Sequence, residues 1–129
     1  MDADHLRDLF SAFKPVTVRR MFSGAGIYAE GLIFAIVVDD VIYLKVDDTN
    51  QADFEREKLP PFRYRRSGGQ RAAMSYRRMP DRLYDDPDQL AQWAARAYAA
   101  ASRKKKVAAP AKRARKSKAT PARRRLTKP

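Results

Sequence analysis

The chain has 129 residues and a formal net charge of +13, and all of that excess lies near one end. Residues 1–102 carry 15 basic and 15 acidic side chains, whereas residues 103–129 carry 13 basic ones and no acid. That excludes a uniformly basic globule and describes one neutral domain of ordinary single-domain size followed by a cationic tail.

In chain order, Leu6, Leu9, Phe10 and Phe13 fall at helical spacing, with Asp2 or Asp4 as the cap and Pro15 as the stop. The apolar period then shortens to two. Strands are predicted over Val16–Phe22, Ile27–Glu30, Leu32–Asp39 and Val41–Val46, separated by Ser23-Gly24-Ala25-Gly26, Glu30-Gly31 and Asp39-Asp40. Such short connections join antiparallel neighbours, so the centre reads as a meander. Thr49 or Asn50 opens a second helix reaching about Lys58, which Pro60-Pro61 ends. Phe62–Arg66 and Ala73–Met79 form a second hairpin around Ser67-Gly68-Gly69-Gln70. Asp86-Pro87-Asp88-Gln89 then supplies a cap, a proline at the first helical position and a glutamine able to close a capping box. Leu90, Trp93, Ala94, Ala97, Tyr98 and Ala101 follow on one face of an amphipathic helix. The fold class is therefore α+β, in two layers. A mostly antiparallel sheet, meander plus hairpin, carries helices from the N-terminus, middle and C-terminus of domain 1–102. Residues 103–129, rich in Lys, Arg, Ala and Pro and free of aromatics, are expected to be disordered in isolation.

The residue inventory argues against catalysis. The chain has no Cys, so thiol chemistry, thiolate metal sites and disulfides are excluded. His5 is the only histidine and sits on a terminal helix, while Ser23 and Ser75 have no motif around them. Asp39-Asp40, Asp47-Asp48 and Asp85-Asp86 could suggest metal ligands, but each falls at a turn or a helix start, and no D-x-D-x-D-G loop is present. Gly24-Ala25-Gly26-Ile27-Tyr28-Ala29 spells a dinucleotide fingerprint but precedes a strand, where that chemistry needs a helix N-terminus; the glycines are expected to serve a turn. The expectation is a non-enzyme without cofactor, metal or small-molecule substrate. No apolar run approaches the ~20 residues of a membrane span, and the acidic start is not a signal peptide. The expected address is the cytoplasm, or the nucleoid within it.

Two basic groups remain. In the tail, Arg103, Lys104, Lys105, Lys106, Lys112, Arg113, Arg115, Lys116, Lys118, Arg123, Arg124, Arg125 and Lys128 suit the phosphates of DNA or RNA, bound without sequence readout. The alternative is a solubilising extension or one that meets an acidic partner. In the hairpin, Arg63, Arg65, Arg66, Arg71, Arg77 and Arg78 alternate with Phe62, Tyr64, Met74 and Tyr76. Either the arginines form a secondary phosphate-binding surface, or the aromatics face the core and the arginines a solvated side.

Arg19-Arg20-Met21-Phe22-Ser23-Gly24-Ala25-Gly26-Ile27-Tyr28, then Gly31-Leu32-Ile33-Phe34-Ala35 and Tyr43-Leu44-Lys45, resemble the N-terminal domain of the TfoX/Sxy family. Pro61-Phe62-x-Tyr64, Met74-Ser75-Tyr76, Pro80 and Trp93-Ala94 continue the resemblance over about residues 5–103, with Ser23 where the family has glycine. The resemblance implies a non-enzymatic α+β domain of bacterial proteins connected with natural competence and transcriptional co-activation. In the full-length regulators a helical domain follows; here the basic tail stands in that position. The implied partner is a transcription-related protein, and the resemblance assigns no ligand residues.

Overall fold

The computed structural model describes residues 1–21, 24–66 and 69–114. Helix α1 (Ala3–Leu9) begins at Asp2, whose carboxylate accepts the His5 amide at 2.8 Å, and buries Leu6 and Phe10. Strands β1 (Thr17–Met21), β2 (Gly24–Ala29), β3 (Leu32–Val38) and β4 (Val41–Lys45) form the antiparallel meander. Glu30-Gly31 and Asp39-Asp40 turn its hairpins with φ positive at both central residues, the mirror-image turn whose twist suits flanking strands. Helix α2 (Gln51–Arg56) ends with Lys58 at φ 56°. Leu59 donates to the Phe54 carbonyl and Lys58 to that of Glu55, so the last carbonyls are satisfied before Pro60.

Strands β5 (Pro61–Arg66) and β6 (Gly69–Arg78) close the second hairpin. Its later strand, β6, pairs with β4, giving one six-stranded sheet in the order β1-β2-β3-β4-β6-β5. A short 3-10 turn, Asp81–Asp85, buries Leu83 and leads into helix α3 (Pro87–Ala114). Asp86 caps α3 by accepting the Gln89 amide at 3.1 Å. Its own amide donates to Leu83, closing the 3-10 turn, so that amide does not serve the reciprocal half of a capping box. The helix runs past Ser102, where composition places the end of the domain. Residues 115–129, the rest of the expected disordered tail, lie outside the described residues. No helix among the described residues is long and apolar enough to cross a membrane.

All four helical elements meet one face of the sheet. Leu6, Phe10, Phe54, Leu83, Leu90, Trp93, Ala94, Ala97 and Ala101 pack with Ile27, Ala29, Phe34, Ala35, Val37, Ile42, Leu44 and Val46 in a single core. A bulge opposite Ile27/Tyr28 turns both Phe34 and Ala35 into it, and Phe34 takes the Phe10 ring edge-on at 5.5 Å. Phe54 meets Trp93 the same way at 5.0 Å. Ion pairs Arg82–Glu57 and Arg96–Asp53 rim this contact.

Gly24 and Gly26 lie inside β2, which corrects their assignment to a turn; the linking residues Phe22 and Ser23 are outside the described set. Close approach is what demands glycine here. A Cβ on Gly24 would stand 1.9 Å from the Val37 carbonyl oxygen, whereas one on Gly26 would meet side-chain tips of Ile33 and Met21, both at 2.9 Å. Backbone cannot step aside as side-chain tips can. Gly24→Ala is therefore expected to cost about 1–3 kcal/mol of unfolding free energy, and Gly26→Ala less than about 1. Denaturant midpoints of the two variants check the order; a Gly24→Ala protein as stable as the parent would refute the close approach.

Candidate nucleic-acid interface

Cross-strand partners share a face, so register sorts the side chains that the helices do not cover. Arg19 pairs with Gly26, Gly26 with Ile36, Ile36 with Tyr43 and Tyr43 with Arg78, which draws one row across five strands. At about 4.8 Å per strand the row is about 19 Å long, with an arginine at each end. Thr17, Tyr28 and Ile33 make a second row, and Lys45 faces Tyr76. Met21, Ile33 and Tyr28 all reach over Gly26, confirming that they stand on this side.

The open face combines rings with cations. Tyr28, Tyr43, Tyr76 and Phe62 are half-buried, and Phe62 meets Tyr43 at 5.0 Å between centroids. The Arg19 guanidinium lies 5.2 Å from the Tyr28 centroid and the Lys45 ammonium 4.6 Å from that of Tyr76. Among the described residues neither cation has a carboxylate partner. Lys45 is buried at 8% exposure, and burial, then the nearby Lys104 ammonium, holds its pKa below the ordinary lysine value. Burial also raises the Tyr76 hydroxyl. Phe62 and Tyr76 thus stand outside the helix-side core, unlike the sequence alternative that turned the hairpin aromatics inward.

The hairpin arginines do not act as one group. Arg63 is exposed; Arg78 is half-buried and 3.4 Å from Asp81. Arg77 is turned into the domain, where it donates to the Leu59 carbonyl at 3.1 Å and faces Glu55 at 3.7 Å. Among the described residues its buried Nε has no hydrogen-bond partner. The side chains of Arg65, Arg66 and Arg71 lie outside the described residues.

Of the tail cations, Arg103 is docked onto the domain. It makes a two-pronged contact with Asp47, Nε to Oδ2 at 2.7 Å and Nη2 to Oδ1 at 3.0 Å. The Asp47 loop is itself braced: Asn50, 2% exposed, accepts the Asp47 amide and donates to the Lys45 carbonyl. Lys104 is exposed beside Lys45. Lys105, Lys106, Lys112 and Arg113 fall on the α3 backbone with side chains outside the described set, as are Arg115, Lys116, Lys118, Arg123, Arg124, Arg125 and Lys128 altogether. The chain therefore leaves the domain where β4 ends, next to Lys45. Sequence patterning could not find this junction, because Asp47 and Arg103 are 56 residues apart.

The acidic doublets fill structural roles: Asp40 holds the N-terminal ammonium, Asp47 the Thr49 amide and Arg103, and Asp86 the start of α3. His5 is exposed. Among the described residues no cluster of three or more His, Asp or Glu is placed to hold a metal ion.

A family model described as the TfoX N-terminal domain matches residues 8–101. No curated protein matches the chain.

The Asp47–Arg103 contact carries a pH signature. The Arg103 hydrogen bonds hold the Asp47 carboxyl below the usual aspartate range, with smaller help from the Thr49 and Asn50 contacts and the Arg103 charge. A lowered folded-state pKa gives stability that is present above the unfolded aspartate value near pH ~4 and lost as pH falls through the folded one. The contact is partly solvated, so the contribution is about 1 kcal/mol or less. Asp47→Asn is expected to lower the thermal midpoint slightly at neutral pH and to lose part of the acid-limb decline seen in the parent. Melting curves across the acid range check this; identical pH profiles would contradict it.

Proposed function

The chain belongs to the TfoX N-terminal domain family, and from that premise we propose a non-enzymatic, DNA-associated accessory protein of transcription or competence regulation. The globular domain makes protein contacts, and the cationic tail holds phosphates of DNA or RNA without reading base sequence. One observation carries the reading: 13 basic residues within 103–129 and no acidic one.

Pairing inside the domain strengthens that reading. Arg7, Arg56, Arg82 and Arg96 each face a carboxylate of the domain. Every acid of the chain lies before Ser102, and Arg103 alone of the tail's described side chains is paired with one. The remaining tail charge has no acid within its own stretch to neutralise it. A flexible or helical run of Lys and Arg gains affinity for a polyanion by releasing its condensed counterions, whatever the base sequence.

The test is a chain ending after Lys104, which keeps the Asp47 contact. It is expected to fold with a nearly unchanged melting temperature and to lose most duplex affinity. For the full chain, engagement of about eight phosphates predicts a slope of log K against log[salt] near −7, or about four decades between 50 and 200 mM. Anisotropy on two unrelated duplexes should give equal affinities. Undiminished binding by the shortened chain, or a flat salt dependence, would overturn the tail's role and leave an interaction module with an acidic protein as partner.

A further inference from the structure

The strongest unassigned feature is the sheet face opposite the helices. A sheet side left bare in a two-layer fold is usually polar, because water covers it. Here the middle of the longest row is Gly26, Ile36 and Tyr43, flanked by Tyr28, Ile33, Met21 and Phe62. Among the described residues no acid falls in the paired rows of this face, while Arg19, Lys45 and Arg78 do, the last facing Asp81 just beyond its strand at 3.4 Å. A second copy placed face to face would oppose like charges across an apolar contact. The occupant must be anionic, and it must offer flat apolar surface to the rings.

We propose that this open face binds single-stranded nucleic acid, with bases stacked on Tyr28 and Tyr43 and phosphates held by Arg19, Lys45 and Arg78. The proposal rests on the nucleic-acid reading of the tail and adds a second, chemically distinct contact.

Three observations make the fit. Tyr28 on β2 and Tyr43 on β4 stand two strands apart in neighbouring rows of one sheet side, and every base has a face to offer such rings. Each cation sits at a ring where a stacked base would bring its phosphate. Arg19 is at Tyr28, Lys45 at Tyr76 and Arg78 beside Tyr43 in the same row. Finally, the face is continuous with the tail. Arg103 is clamped to Asp47, two residues beyond Lys45, and Lys104 faces the Lys45 ammonium. A strand gripped by the tail is thereby delivered to Lys45 and Tyr76, which lie beside the Tyr43–Arg78 part of the row. Glycine at position 26 leaves room for Met21, Ile33 and Tyr28 to close over it, which makes the middle of the face apolar. A duplex does not satisfy this surface, since its bases are stacked on one another and turned inward.

The test uses the full chain at about 0.3 M salt, where the tail's contribution is screened. Three probes of equal length, about 12 nucleotides, are compared by anisotropy: oligothymidylate, an abasic phosphodiester strand and a duplex. The expected result is at least about tenfold tighter binding of oligothymidylate than of the abasic strand. Tyr43→Leu and Tyr28→Leu, which keep apolar bulk, should each reduce that preference severalfold while duplex affinity at low salt stays unchanged. Arg19→Gln, at an exposed position, guards against misfolding: it should weaken both single strands and leave the melting temperature in place. Equal binding of base-bearing and abasic strands overturns the proposal and leaves the tail reading intact. Absence of duplex binding even at low salt overturns the tail reading itself. If the tyrosine variants instead lose binding to polyglutamate and keep the thymidylate preference, the face belongs to an acidic protein. Concentration-dependent dimerisation abolished by Tyr43→Leu would assign it to a second copy.

Discussion

The packing of α3 across β3 and β4 is the contact on which the rest depends. Leu90, Trp93, Ala94, Ala97 and Ala101 pack with Phe34, Val37, Ile42 and Leu44 in one buried layer. The alanines let the helix axis come close to the sheet, and the larger Leu90 and Trp93 fill the space toward the 3-10 turn and α2. Close-packed interiors tolerate little change in volume, so this layer also fixes where the helix points. It points residue 103 at Asp47. The Asp47–Arg103 contact is a consequence of that direction, and so is the place where the cationic segment leaves the domain.

Packing all helical elements on one side has a second consequence. The α1 end, the β2–β3 turn and α3 are joined on that side by Glu30, which accepts the Tyr98 hydroxyl at 2.9 Å and pairs with Lys14 at 3.4 Å. Both contacts lower the Glu30 pKa, the Tyr98 hydrogen bond first. Pairs such as these, with Arg82–Glu57 and Arg96–Asp53, occupy carboxylates around the helical layer. On the opposite side Arg19 and Lys45 lean on tyrosine rings instead, while Arg78 faces Asp81. The cations of the neutral domain are therefore partnered differently on its two sides, which a net charge cannot reveal.

The elements themselves were legible in the residues. Asp86-Pro87 and the spacing of Leu90, Trp93, Ala94 and Ala97 locate α3, since capping and period-3.6 patterning are local. The Glu30-Gly31 and Asp39-Asp40 turns were equally plain. What escaped depends on register and on contacts between distant segments. The two glycines of β2 look like turn residues until Val37 is seen pressing on Gly24. The Phe34–Ala35 bulge and the insertion of β6 beside β4 leave no local mark. Without them, nothing says that Tyr43 and Tyr76 stand opposite the core or that Arg77 is turned inward while Arg63 is exposed. The 3-10 turn at Asp81–Asp85 was also missed, being too short to show a period. For the tail, composition carried the electrostatic reading unaided, and only the structure shows Arg103 held by the domain.

The central claim is that the domain's two sides divide the work, the helical side building the core and the bare side meeting nucleic acid beside the tail. Photo-cross-linking of the full chain to a single strand containing 5-iodouracil, followed by peptide mass spectrometry, tests this most directly. Adducts are expected on peptides carrying Tyr28 or Tyr43. Adducts found instead on helix-side residues such as Tyr98, or none on either tyrosine, would contradict it.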